Sequence, residues 1–214
     1  MTETRTPPAS RSALRPAARW LGLALIFAVP LLGGCAVLVL GGAAAGAAGA
    51  AAVHDRRDYG TILEDQQIEI AAMSALTENR EIRERTSISV TSYNRKVLLV
   101  GEAESQLLSD QAAERVSRLA KVERVINEVT VGPSIGLWRQ TEDTYLTGRA
   151  KVALAEVSLP GFDPTRVKIV TENAVVYLLG LVTQEEGDAA AEKIRYVPGV
   201  ARVVKLFEYQ EPKT

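Results

Sequence analysis

An internal repeat constrains the fold of this chain more than any other feature of its sequence. Residues 97–101 (VLLVG) match residues 176–180 (VYLLG) at an offset of 79. Further along, residues 122–125 (VERV) match residues 200–203 (VARV) at an offset of 78. Similar segments at a nearly constant spacing indicate a duplicated structural unit. We therefore expect the 214 residues to contain two copies of one small module.

Each copy shows the same order of elements: helix, strand, strand, helix, strand. The first predicted helix covers residues 62–76 and has its apolar residues on roughly one face. These apolar residues are at positions 62, 63, 70, 72, 73 and 76. Two runs rich in apolar and β-branched residues, 88–90 and 97–100, predict strands, and the second run is continuous enough for an inner, buried strand. Residues 92–95 predict a hairpin turn in which Asn94 tolerates left-handed geometry.

Three runs in the second copy carry a family resemblance. A strand ends in glycine (176–180, VYLLG), a helix is rich in alanine (189–191, AAA), and a Gly-Val pair precedes the last strand (199–203, GVARV). Together these runs resemble the BON domain, and the similarity extends through both copies, over more than half of the chain. The first copy departs at Lys121 and Val122, where Gly-Val is expected. A non-glycine residue must therefore end that helix without an easy left-handed cap.

The resemblance implies an α+β fold of two tandem BON modules. Each is expected to be helix-strand-strand-helix-strand, with a three-stranded mixed sheet packed on two helices. The modules are expected at residues 62–132 and 143–210. A linker, 133–142, joins them, and a short tail, 211–214, follows.

The predicted linker is rich in turn residues and ends in the apolar residues Ile135, Leu137 and Trp138. Exposing three such side chains to water is costly, which favours the interpretation that they clamp the two modules together. In the alternative interpretation, Trp138 joins a lipid-facing patch.

The first 34 residues predict a lipoprotein signal peptide. Four arginines precede an apolar stretch at residues 20–32, which is the pattern of a secretory signal. Residues 32–35 (LGGC) resemble a bacterial lipobox, and Cys35 is the only cysteine of the chain. The resemblance implies cleavage before Cys35 and acylation of this residue with fatty acids such as palmitate. The alternative is an uncleaved helix that spans the inner membrane at residues 20–53.

Residues 36–53 contain only Ala, Val, Leu and Gly. Their number is near the lower limit for a membrane span, and their G-x-x-x-G-x-x-G spacing lets apolar helices approach closely. A membrane-apposed helix and a flexible spacer are both compatible with this composition. We expect residues 35–61 to be the lipid anchor and membrane-proximal segment. Residue 36 is Ala rather than Asp, which by resemblance to enterobacterial lipoproteins implies sorting to the outer membrane, facing the periplasm.

The composition argues against nucleic-acid binding, metal binding and catalysis. Lys plus Arg total 25 against 26 for Asp plus Glu, so no large basic field is available for nucleic acid. One Cys and one His exclude His/Cys metal clusters and disfavour a Cys-His nucleophile pair. No sequence motif of a phosphate-binding loop, zinc protease, nucleophile elbow or EF-hand occurs. The acidic pair Glu185 and Glu186 lies where a helix begins, which indicates capping. We therefore expect no catalytic residue, no metal and no cofactor.

The first predicted helix of the second module is the best candidate for a binding surface. At 100° per residue, its core face carries residues 146, 150, 153, 154 and 157. Tyr145, Arg149, Val152 and Glu156 lie on the opposite face, with Lys151 on its flank. Arg and Lys attract anionic phosphate, and Tyr suits the boundary between headgroups and acyl chains. This helix face is therefore predicted to bind an anionic membrane, although Glu156 weakens the case.

The predicted helix continues into an apolar tip, residues 157–162 (VSLPGF). In one interpretation Leu159 and Phe162 insert shallowly into a bilayer; in the other, they fold back onto the core. The corresponding turn of the first module, residues 77–81 (TENRE), is charged and is not expected to insert.

With a lipobox and two BON modules, the chain resembles the dual-BON outer-membrane lipoproteins. This resemblance implies that it binds anionic phospholipid through the second domain, at the start of this helix, and supports envelope integrity. An enterobacterial member gathers at division sites and has Trp where this chain has Tyr145. The residues that the resemblance implies for phospholipid binding, together with the helix-face pattern, are Tyr145, Arg149, Lys151, Val152, Leu159 and Phe162. The alternative is an envelope scaffold whose modules bind a protein partner, with lipid contact incidental.

Overall fold

The computed structural model describes residues 55–133 and 137–211, and for residues 137–139 only the backbone. The predictions for the signal peptide, Cys35, the segment 36–53 and the side chains of Ile135, Leu137 and Trp138 lie outside the described residues. The described residues belong to one compact unit, Ala50–Thr214. Within them, no helix combines the length and the apolar character needed to cross a bilayer.

The first module contains three helices and three strands. They are α1 (Tyr59–Glu78), α2 (Arg80–Arg85), β1 (Thr86–Tyr93), β2 (Lys96–Ala103), α3 (Gln106–Ser117) and β3 (Arg124–Val131). Strand β2 lies in the centre of the sheet, antiparallel to β1 and parallel to β3. The short helix α2 is an addition to the predicted order of elements.

The second module repeats this topology without the short helix. Its elements are α4 (Leu137–Ala155), a 3₁₀ turn (Pro164–Arg166), β4 (Val167–Glu172), β5 (Val175–Val182), α5 (Gln184–Arg195) and β6 (Arg202–Tyr209). Its central strand β5 is antiparallel to β4 and parallel to β6. The predicted α+β fold of two modules, each with a three-stranded mixed sheet packed on two main helices, is confirmed.

Each module has its own core between one face of the sheet and its helices. In the first module, buried side chains of α1 and α3 pack on Val97 and Leu99 of β2. In the second, buried side chains of α4 and α5 pack on Val176 and Leu178 of β5. The helix residues of these cores are Ile68, Ala72, Leu76, Ile82, Leu108, Ala112, Val116, Ala150, Leu154, Ala190 and Ile194.

The opposite faces of the two sheets pack against each other and form a third core. Tyr93, Leu98 and Val100 of the first sheet meet Tyr177 and Leu179 of the second. Because successive side chains of a strand point to opposite faces, β2 and β5 are each buried on both sides. This burial explains why their sequences are continuously apolar. The modules therefore stabilise each other through a sheet-on-sheet contact.

Polar contacts join the two modules around this shared core. The backbone N–H of Leu181 donates to the hydroxyl of Tyr93 at 3.1 Å, and burial raises the pKa of Tyr93 to about 12. At the rim, Lys96 forms an ion pair with Glu208 at 2.7 Å. These contacts cross between modules, so they orient one sheet relative to the other.

The residues just before α1 bind both modules. Arg56 Nη2 donates to Glu186 Oε1 of the second module at 3.0 Å, whereas Arg57 Nη1 donates to Asp65 Oδ2 of the first at 2.6 Å. Glu186 also completes the capping box that begins α5, as predicted for the acidic pair at this position. The segment before α1 therefore binds the first module through Arg57 and the second module through Arg56.

The hairpin turn of the first module is held by a buried carboxylate from α1. Asn94 and Arg95 have φ angles of 51° and 61°, so the left-handed geometry predicted for Asn94 is confirmed. Asp65 accepts from the backbone N–H groups of both residues at 2.7 Å and from Ser92 Oγ at 2.6 Å. A carboxylate of α1 thus accepts hydrogen bonds from backbone N–H groups of the turn that have no acceptor in the sheet.

The second module uses the same arrangement. Asn173 and Ala174 have φ angles of 50° and 60°. Asp143 accepts from their backbone N–H groups at 2.8 and 2.9 Å. Neither aspartate was predicted from the sequence, although their offset of 78 equals that between residues 122–125 and 200–203.

The predicted orientation of the first helix requires a correction. Its buried face carries Ile68, Ala72 and Leu76 together with polar residues, whereas Leu63, Ile70 and Met73 are exposed. The hydrogen bonds of the buried Asp65 set this orientation. A pattern based on apolar residues alone therefore combined two different faces of α1.

In the first module, the loop between α3 and β3 also contains a residue with left-handed backbone geometry, although it has no glycine at that position. Lys121 adopts a φ of 70°, and the matching residue of the second module, Gly199, adopts a φ of 100°. Lys121 lies 3.3 Å from Glu64 in an ion pair. The departure from the family pattern at Lys121 has therefore changed the residue but not the backbone geometry.

Candidate functional site

Helix α4 presents the two faces that the sequence predicted. Leu146, Ala150 and Leu154 are buried, and the last two pack in the core of the second module. On the other side, the side chains of Tyr145 and Val152 are 69% and 63% exposed. Large exposed apolar side chains two turns apart on one face of a helix indicate a contact surface.

The exposed face of α4 forms one wall of an open groove with a volume of about 760 Å³. The end of α5 and the turn after it form the other wall, with Tyr196, Val197 and Pro198. Tyr196 is 69% exposed, as is Tyr145. The groove is therefore mostly apolar, with one exposed tyrosine on each wall.

Cations lie along the groove. Arg149 Nη1 donates to the carbonyl of Pro198 at 3.0 Å, and its guanidinium carbon lies 5.8 Å from the centroid of the Tyr145 ring. On the other wall, Lys193 forms an ion pair with Glu156 at 3.2 Å. Arg149 is thus held beside an aromatic ring by a neutral carbonyl, so its positive charge is not neutralised by that contact.

The remaining predicted contact residues do not all join this groove. Lys151 is exposed on α4 but lies outside the groove lining. Leu159 is half-buried and lies in a shallower depression that it shares with Tyr196. Phe162 packs against the core of the second module, which agrees with the interpretation that the tip folds back.

Sequence reasoning missed the second wall of the groove. Tyr196 follows α5 and precedes a Pro-Gly pair, and an aromatic residue at such a helix end was a usable signal. The guanidinium carbon of Arg195 lies 5.0 Å from the centroid of the Tyr196 ring. Each exposed tyrosine of the groove therefore has an arginine over its ring.

The first module carries polar residues at three matching positions of this surface. The repeat offset of 78 places Gln67, Ser74 and Arg118 where the second module has Tyr145, Val152 and Tyr196. Gln67 accepts a hydrogen bond from Lys121 at 3.3 Å, and Arg118 forms an ion pair with Glu114. The two modules thus share a fold but differ in the chemistry of this one surface.

A second cluster of ionisable groups lies between the modules, away from the groove. Burial, together with the nearby carboxylates of Glu102 and Asp143, raises the pKa of Glu172 to about 7. Among the described residues, no group of three or more His, Cys, Asp or Glu side chains is placed to hold a metal ion. The cluster is a feature of the module contact.

Comparison with known proteins identifies the modules. The model of the BON domain matches residues 64–133 and 142–211. Outer membrane lipoprotein DolP of Haemophilus influenzae is 33% identical over 186 residues, which cover 86% of this chain and 93% of that protein. A 21 kDa hemolysin of Actinobacillus pleuropneumoniae is 34% identical over 155 residues, or 72% of this chain and 79% of that protein.

Among solved structures, CdsD, a structural protein of the type III secretion system of Chlamydia trachomatis, covers 65% of this chain and 92% of its own. The TM-score of 0.28 and the identity of 10% are too low to support any inference. The two BON matches, in contrast, coincide with the two modules of the fold. The chain therefore belongs to the BON-domain family, among the two-module outer-membrane lipoproteins.

Proposed function

We propose that this chain is a non-enzymatic, lipid-anchored protein of the outer membrane, facing the periplasm, whose second module binds anionic phospholipid through the groove between α4 and α5. By this binding it supports the integrity of the outer membrane. The observation that carries the proposal is the apolar groove with Tyr145 and Tyr196 on its two walls. The first module has the same fold but polar residues at the positions of Tyr145, Val152 and Tyr196, so the fold does not require these apolar side chains.

The chemistry of the groove suits the boundary between headgroups and acyl chains. Tyrosine has an apolar ring and a polar hydroxyl, and it concentrates at membrane–water interfaces. Val152 provides apolar contact between the two walls, while Arg149 and the exposed Lys151 attract lipid phosphate. Glu156 is paired with Lys193 at 3.2 Å, so its charge opposes an anionic surface less than an unpaired carboxylate would.

The predicted anchor strengthens this binding by proximity. Nineteen residues lie between Cys35 and Asp55, and a fully extended chain over these 20 residue steps spans at most about 70 Å at ~3.3–3.6 Å per residue. Arg56 and Arg57 fasten the end of this tether to both modules. A groove of modest affinity therefore acts at a high effective concentration of lipid, and the two attachments reinforce each other.

Co-sedimentation of residues 50–214 with vesicles tests the groove without the anchor. The fragment should bind vesicles that contain anionic phospholipid more tightly than zwitterionic ones, and salt should weaken the binding. The double variant Arg149→Glu with Lys151→Glu should bind at least about tenfold more weakly, because each basic residue contributes ~1 kcal/mol near an anionic surface. Lys151→Glu alone, at an exposed site outside the groove lining, should give a smaller loss in the same direction.

Tyr145→Ala with Tyr196→Ala removes interfacial contact instead of charge, so the loss should depend less on salt. The matched control is Arg115→Glu with Arg118→Glu, which makes the same change in net charge on the corresponding surface of the first module. This control should retain most of the binding. Equal losses in the control and in the groove variant would show that binding follows net charge and not the groove.

A wild-type fragment that does not discriminate anionic from zwitterionic vesicles would favour a different function for the groove. The chain would then be an envelope scaffold whose second module binds a protein partner. Cleavage and acylation at Cys35, and a place at division sites, stay predictions that the vesicle assay does not address.

A further inference from the structure

Helix α1 exposes a face with almost no charge. Of its eleven exposed residues, only Glu78, at the last position, is charged. Surface helices usually carry charged and polar residues on the side away from the core. Here Ile70 is 72% exposed and Tyr59 69% exposed, with Leu63 and Met73 also exposed. A face of this composition indicates a contact that the described residues 55–133 and 137–211 do not satisfy.

The exposed apolar residues of α1 follow a seam. Residues 59, 63, 66, 70, 73 and 77 alternate in steps of four and three, which is the heptad spacing by which two helices pack along their length. These six positions, Tyr59, Leu63, Gln66, Ile70, Met73 and Thr77, are called the α1 stripe. The stripe runs along nearly the whole helix, from its first residue to its last turn.

We propose that the α1 stripe pairs, in parallel, with the same stripe of a second copy of this chain. In a parallel pair each seam position meets its own copy, so Leu63 meets Leu63 and Ile70 meets Ile70. Gln66, the amide of the seam, then meets Gln66 and can exchange hydrogen bonds with it. An antiparallel pair would place Gln66 against apolar positions and leave its amide without a partner.

Charge and tethering both favour a second copy of this chain, rather than an anionic bilayer, as the binding partner of the α1 stripe. Helix α1 contains no Lys or Arg, so its exposed face offers an anionic bilayer no attraction. A copy of the same face buries no ion when it packs on the stripe, apart from Glu78 at the end. Two chains anchored through the residues before Asp55 enter α1 at the same end, which a parallel pair accommodates.

The pair is expected to be weak in solution and to form on the membrane. A single pair of helices buries less surface than the ~800 Å² per partner of a typical stable interface. Anchoring two chains in one bilayer raises their effective concentration, and this compensates for a small contact. The inference relies on the lipid anchor but not on phospholipid binding by the groove.

The test uses the full lipidated chain in zwitterionic vesicles, where groove binding to anionic lipid does not contribute. Thr77→Cys places a thiol at the end of the stripe, and Ser117→Cys places one at an exposed position on α3 as the matched control. With a short bifunctional maleimide, Thr77→Cys should give at least ~5-fold more cross-linked dimer than Ser117→Cys, because tethered copies meet through α1. The added change Ile70→Glu should abolish this difference, because it opposes two carboxylates in the seam.

Equal cross-linking of Thr77→Cys and Ser117→Cys would overturn the pair, and so would cross-linking that survives Ile70→Glu. A mixture of Tyr59→Cys and Thr77→Cys chains tests the direction. If only the mixed dimer forms, and Thr77→Cys does not cross-link with itself, the parallel arrangement is wrong. Since Ile70 is 72% exposed, its replacement leaves the core intact, and an unchanged melting temperature confirms that loss of cross-linking is not unfolding.

Discussion

Replacing Asp65 by Asn should destabilise the protein more than the same change at Asp143. Asp65 accepts four hydrogen bonds, from Ser92 Oγ, from the N–H groups of Asn94 and Arg95, and from Arg57. Two of them end on each carboxylate oxygen, and an amide retains only one oxygen. The variant therefore loses two bonds, and one amide N–H₂ group faces two donors.

The expected magnitude follows from what each oxygen accepts. At Asp65 the loss includes at least one buried backbone bond, and in either amide orientation the ion pair with Arg57 is weakened. Breaking a buried charge pair costs about 3–5 kcal/mol, and we expect a loss in that range. At Asp143 each oxygen accepts one backbone N–H, so one bond to a charged group is lost, at about 1.5 kcal/mol.

Urea unfolding of residues 50–214 measures both changes. With a slope of about 2 kcal/mol/M, Asp65→Asn should lower the midpoint by roughly 2 M and Asp143→Asn by less than 1 M, with the slope unchanged. Arg57→Ala should be non-additive with Asp65→Asn, because the two residues share one ion pair. Equal losses at the two aspartates, or a loss at Asp65 below about 1 kcal/mol, would refute the account of the hairpin turn.

Three further outcomes are expected. Gly101→Ala should destabilise residues 50–214 by about 2–4 kcal/mol, because a Cβ there would lie 1.9 Å from the carbonyl oxygen of Ser87 at a φ of 118°. Gly148 lies in a helix with open space around it, so Gly148→Ala should stabilise the same fragment by about 0.5–1 kcal/mol. Calorimetry compares the two variants. Glu172→Gln should raise the melting temperature at pH 8 but not at pH 5. The pKa of Glu172 is raised to about 7, so the stability that its protonated form provides is complete below the unfolded pKa and is lost as the pH rises through 7. Equal effects at both pH values would contradict this. Cys35→Ser should leave an uncleaved or mislocalised precursor without lipid, and acyl labelling with normal maturation of this variant would exclude the lipoprotein assignment.

The periodicity of the sequence determined much of the fold. Apolar runs such as residues 97–100 predicted inner strands, because a strand buried on both faces must be apolar at every position. Asn94 predicted the turn, because few residues tolerate its left-handed backbone. The face of α1 could not be predicted in this way, because the buried residue Asp65 is polar and its partners lie in a hairpin some 30 residues away in the chain.

The candidate site also has a part that the sequence predicted and a part that only the tertiary structure showed. One helix supplies Tyr145, Arg149 and Val152, and since helical geometry is local, the sequence by itself placed them on one exposed face. Only the tertiary structure brought Tyr196 opposite Tyr145, because the end of α5 reaches α4 through the packing of both helices on the second sheet. Packing also decided that Phe162 lies against the core, since a short apolar tip fits a bilayer or its own module equally well until the neighbouring surface is known.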